Sequence, residues 1–87
     1  MNPANFTNIT TNTTTTVKDR RGVLKAIVVN TTAAGAITIY DNTAASGTKI
    51  GTLKSSIVEG VYEYNCRFFT GLTIVTAASS DITVIWE

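Results

Sequence analysis

Histidine is absent from this sequence, and cysteine occurs once, as Cys66. Without histidine, a serine, threonine or cysteine nucleophile lacks its usual general base. A zinc site would have to be built from one thiolate and carboxylates, and one cysteine excludes an intrachain disulfide. The sequence therefore predicts no enzyme, no cofactor and no tightly bound metal. A chain of 87 residues makes one domain, and such a domain buries only about 60–65% of its unfolded surface. With neither disulfide nor metal to help, self-association or docking on a larger body is the expected source of extra stability.

Charge of one sign is also lacking. Seven basic and six acidic residues leave a formal net charge of +1, which gives no footprint for nucleic acid or an anionic membrane. Lys18-Asp19-Arg20-Arg21 is the one local cluster, and three cations beside an acid read as a solvated linker. The apolar runs are too short to span a bilayer, and Met1-Asn2-Pro3-Ala4-Asn5 lacks the basic and apolar regions of a signal peptide. Synthesis in the cytoplasm is expected.

What is present begins with an Asn- and Thr-rich segment, MNPANFTNITTNTTTT, whose only large apolar residues after Met1 are Phe6 and Ile9. A segment of this composition buries too little to offset the ordering of its backbone. Residues 1–20 are accordingly expected to form an extended arm that orders against a neighbour, with Phe6 and Ile9 as assembly anchors. The β-branched threonines favour a strand, so the alternative is an edge strand of the chain's own fold.

Residues 21–87 alternate with period two, broken by turn signals every eight to twelve residues. Strands are predicted over residues 23–29, 36–41, 48–53, 61–66, 72–76 and 81–87. Asn42-Thr43-Ala44-Ala45-Ser46-Gly47 closes an antiparallel hairpin between the second and third. No stretch has helical periodicity. The fold class is all-β: a small antiparallel β-sandwich, jelly-roll or immunoglobulin-like, of about six to eight strands. Its expected core is Leu24, Val28, Ile37, Ile39, Ile50, Tyr62, Tyr64, Leu72, Ile74, Ile82, Val84 and Trp86.

Candidate chemistry is sparse. Cys66 falls on a predicted inward face and reads as a small buried hydrophobe. The carboxylate pairs Glu59 with Glu63, and Asp41 with Asp81, lack any sign of a shared cleft. Gly47-Thr48-Lys49-Ile50-Gly51 does not have P-loop spacing, so its glycines read as turn residues. Sequons at Asn5, Asn8, Asn12 and Asn30 follow from the composition. Tyr40, opposite Ile37 and Ile39, is a candidate surface contact, but one tyrosine makes no sugar-stacking platform.

The blocks Gly22-Val23-Leu24-Lys25-Ala26-Ile27-Val28-Val29-Asn30-Thr31, Ile37-Thr38-Ile39-Tyr40-Asp41 and Ala45-Ser46-Gly47-Thr48-Lys49-Ile50 resemble a type of small tailed-bacteriophage virion protein. So do Tyr62-Glu63-Tyr64 and Phe69-Thr70-Gly71-Leu72-Thr73-Ile74-Val75-Thr76. The resemblance spans roughly residues 22–86 and leaves out the Asn- and Thr-rich segment. It implies a compact β-sandwich in a phage particle, foremost a capsid decoration (cement) protein on the outer head surface. A neck, tail or fibre-base module is the alternative, and a host-surface or carbohydrate-binding module a second. The implied partners are the major capsid protein or other virion structural proteins, and further copies of the chain as a trimer or dimer, with no nucleic acid and no membrane.

Overall fold

The computed structural model describes residues 3–87 and is built of eight strands. These are β1 (Asn5–Ile9), β2 (Thr13–Lys18), β3 (Gly22–Thr31), β4 (Ile37–Asp41), β5 (Thr48–Leu53), β6 (Gly60–Phe68), β7 (Leu72–Thr76) and β8 (Asp81–Trp86). They form two four-stranded antiparallel sheets, in the orders β1-β8-β3-β6 and β2-β7-β4-β5. The expected hairpin is there, with Ile37 opposite Leu53 and Asp41 opposite Thr48.

Pairs β1·β8, β2·β7, β3·β6 and β4·β5 nest around that hairpin and alternate between the sheets. Pairs β8·β3 and β7·β4 then complete each sheet. One long antiparallel ribbon rolled up in this way is a jelly roll. The immunoglobulin-like arrangement, the other topology that the sequence allowed, is excluded by this strand order.

The core lies between the sheets and is aliphatic, with Leu24, Ile27, Ile39, Leu72, Ile74, Ile82 and Val84 fully buried beside Phe68. Of the twelve expected core residues, Leu24, Ile37, Ile39, Leu72, Ile74, Ile82 and Val84 are buried. Val28, Ile50, Tyr62, Tyr64 and Trp86 are only half-buried. For Tyr62 and Tyr64 the reason is position, because β6 is an edge strand and its inward face covers the rim of the core.

Val28 has a different explanation. Leu24 pairs with Trp86 and Ala26 with Ile85, so β3 has one more residue than β8 between these rungs. A bulge of this kind resets the alternation of faces. Ile27 and Val29 therefore enter the core, and Val28 points outward.

The first twenty residues require a correction. In place of an arm, residues 5–9 and 13–18 are edge strands, one in each sheet. Ile9 pairs with Ile82 and is buried in the chain's own core, so it is no anchor for a neighbour. The threonines of β2 pair along β7, and the Thr76 hydroxyl accepts from the Thr13 N–H at 3.1 Å. An edge strand needs little apolar surface of its own when its neighbour supplies the hydrogen-bonding partners and the core. Met1 and Asn2, the beginning of the expected arm, lie outside the described residues.

Candidate docking face

The residues singled out for chemistry do not converge. Asp41 ends β4 and Asp81 begins β8, in different sheets and at opposite ends of the sandwich. Each carboxylate has a structural role. Asp81 accepts from the side-chain amides of Asn8 at 2.8 Å and Asn30 at 3.2 Å, tying β1 and β3 to β8. Asp41 accepts the backbone N–H groups of Phe69 and Thr70 at 3.0 and 2.8 Å, holding the β6–β7 corner.

Burial alone would raise the pKa of Asp41, but hydrogen bonds from Thr70, Phe69 and Gly71 outweigh it and hold the carboxyl below its usual range. Cys66 is half-buried on the inward face of β6. Its thiol is pushed up by burial and by the negative charge of Asp41, which disfavours the reactive thiolate. Glu59 accepts from the Thr32 N–H at 3.1 Å. Among the described residues, no three of His, Cys, Asp and Glu are grouped to hold a metal.

The unexpected feature is on the outside of the β1-β8-β3-β6 sheet. One cross-strand row reads Phe6–Ile85–Ala26–Glu63, and the next reads Asn8–Thr83–Val28–Val61. Phe6 is 72% exposed and Val61 63%, while Ala26, Val28 and Ile85 are half-open between them. The outer face of an antiparallel sheet is ordinarily polar. Here an apolar band crosses the sheet from edge to edge.

The other sheet supplies the contrast. Its outer rows are Thr14–Val75–Thr38–Thr52 and Thr16–Thr73–Tyr40–Lys49. Tyr40, the candidate surface contact, is half-buried on this hydroxyl-rich face, away from the apolar band. Phe6 is on the band, so of the two expected anchors one is available to a partner and the other is not.

Charge is sorted as well. Lys18, Arg20, Arg21, Lys25, Lys49 and Arg67 gather at the end carrying the β2–β3, β4–β5 and β6–β7 connections. Asp19 pairs there with Arg20 at 3.4 Å and Glu87 with Lys25 at 3.8 Å. Lys18 sits over the Trp86 ring at 5.6 Å. Arg21 and Arg67 have no ion-pair partner among the described residues and flank a shallow notch with Val23 and the exposed Phe69. Glu59 and Asp81 occupy the opposite end with Lys54, while Asp41 lies at the cationic end. A chain that is nearly neutral overall is thus polar from end to end.

No known protein-family model matches this chain, and no curated protein matches it.

The apolar band had one legible signal. Val23-Leu24-Lys25-Ala26-Ile27-Val28-Val29 is apolar on both parities apart from Lys25, close to the pattern of a strand covered on both faces. The charge sorting had none. It arises because antiparallel strands return residues from distant parts of the sequence to the same end.

Proposed function

We propose that this chain is a structural protein of a tailed-phage particle, a capsid decoration protein carried in many copies on the outer head surface. The observation behind this reading is the apolar band on the β1-β8-β3-β6 sheet. A band that runs from Phe6 to Val61 across four strands is continuous, unlike the scattered exposed hydrophobes of ordinary surfaces, and such patches mark contact surfaces. Fully covering one side chain of this kind contributes on the order of 1.5–3 kcal/mol, a gain that repeats in every copy.

The resemblance of residues 22–86 to small phage virion proteins supports the same reading. The jelly roll also recurs in viral capsid domains, but it serves lectins and cupins too, so this support is an analogy at the level of fold. In mechanism the protein is a clamp. A rigid sandwich whose apolar face is covered in the assembled particle links neighbouring subunits and resists their separation, without chemistry at any side chain.

The carbohydrate-binding reading has less behind it. Tyr40 stands alone among threonines, whereas sugar recognition by stacking requires a wider aromatic platform.

The test is co-sedimentation. Purified protein is mixed with particles of the phage that encodes it, stripped of the chain, and saturable binding to the head is expected at many copies per particle. Binding confined to tails or necks would select the neck, tail or fibre-base alternative. Absence of the chain from intact particles, by quantitative mass spectrometry, would overturn the virion assignment.

A further inference from the structure

We propose that the apolar band is covered by a second copy of this chain, in a two-fold dimer whose strands run antiparallel across the interface. The inference rests on the reading of that face as the assembly face, and it names the face's partner.

Size permits it. The molecule measures 32 × 29 × 17 Å, and the short dimension is that of two stacked sheets. The broad faces are therefore the outer faces of the sheets, and each is large enough to contribute the roughly 800 Å² per partner of a specific interface.

Charge chooses both the partner and the orientation. Along the strands of this face, the Val23–Arg67 rung is followed by the Ala26–Glu63 and Val28–Val61 rungs, and then by Val29–Gly60 with Glu59 just beyond. Turning a second copy about an axis that lies in the face and crosses the strands reverses this sequence. The Phe6–Ile85–Ala26–Glu63 row of one copy then meets the Asn8–Thr83–Val28–Val61 row of the other, strand on like strand. This sets Ala26 on Val28 at the centre, Phe6 and Ile85 over the uncharged Asn8 and Thr83, and Glu63 over Val61 at the β6 edge. Arg67, which lacks an ion-pair partner among the described residues, comes over the row of the second copy's Glu59.

The other two-fold arrangement, about an axis along the strands, would set the two cationic ends side by side. It is disfavoured by like-charge repulsion at the rim. A single copy thus carries both halves of a complementary surface, as an isologous contact requires.

Analytical ultracentrifugation of the full chain tests the proposal, with circular dichroism to confirm that every variant is folded. A dimer is expected at concentrations up to about 100 μM, an accessible range for an interface of standard size. Val61→Glu, at an exposed position, is expected to raise the dissociation constant at least about tenfold, a change of about 1.4 kcal/mol. Thr52→Glu on the opposite sheet is expected to leave it unchanged. Arg67→Glu alone is expected to weaken the dimer and the double variant Arg67→Glu with Glu59→Arg to restore it, because each altered residue then faces its complement.

A monomer throughout the range, or a dimer indifferent to Val61→Glu, would overturn the proposal. Failure of the charge exchange to restore association would overturn the antiparallel orientation. A monomer that still decorates particles would refute the dimer and leave the virion reading standing, whereas a dimer absent from particles would do the reverse.

Discussion

The carboxylate of Asp41, at the last position of β4, accepts the backbone N–H of Thr70 at 2.8 Å across a sequence separation of 29 residues. The same oxygen receives the N–H of Phe69 at 3.0 Å. One side chain of the second sheet therefore fixes the corner at which the chain leaves β6 and crosses to β7.

The folded-state pKa of Asp41 lies below its ordinary value, because N–H donation outweighs the opposing effect of burial. Its contribution to stability is therefore complete above the unfolded carboxylate range, near pH 4, and is lost as pH falls through the lower folded value. Asp41→Asn is expected to lower stability at neutral pH by roughly 1–2 kcal/mol, modest because the group is partly open to water. Urea unfolding from pH 7 to about pH 2 should show the variant losing less stability on acidification than the parent.

Phe68 and Phe69 are neighbours with opposite fates, the first fully buried and the second 70% exposed. Phe68→Ala should cost about 3–5 kcal/mol through the cavity it leaves. Phe69→Ala should change the unfolding free energy by no more than about 0.5 kcal/mol. Chemical denaturation of the two variants decides this, and similar losses in both would contradict the burial described.

The same contrast tests the β3 bulge. Ile27→Ala is expected to cost about 2–5 kcal/mol and Val28→Thr less than about 1 kcal/mol, since Ile27 is in the core and Val28 is outside it. Uninterrupted alternation from Leu24 would give the reverse order.

Gly71 is buried, and a Cβ placed on it would lie 2.9 Å from the Lys18 carbonyl oxygen and 3.0 Å from that of Asn42. Backbone oxygens at the end of β2 and in the β4–β5 connection cannot retreat as the end of a side chain could. Gly71→Ala should therefore destabilise by about 1–3 kcal/mol, measured as a lowered midpoint in thermal unfolding.

These positions also show how far the sequence could be read. The strands β3 to β8 and the β4–β5 hairpin were legible because Ile37, Ile39, Ile82 and Val84 alternate cleanly and Asn42 to Gly47 carries turn chemistry. Val28 departs from simple alternation because a bulge is a relation between two strands, visible only when Ala26 is set beside Ile85. The residues before Gly22 differ from the expected arm for a related reason. Composition registers the few apolar groups in the segment, but not that β8 and β7 offer it partners more than fifty residues further on. The apolar band is assembled by register from β1, β3, β6 and β8, so its components were visible singly and its continuity was not.

Electron cryo-microscopy of the intact particle tests the central claim, that the outer face of the β1-β8-β3-β6 sheet is the assembly face of a virion protein. The account predicts eight-stranded density for the chain on the head, with Phe6, Val28, Val61 and Ile85 covered by protein and the threonine-rich sheet more open to solvent. A particle that carries the chain with that apolar face bare and the Thr14–Val75–Thr38–Thr52 row docked would contradict it.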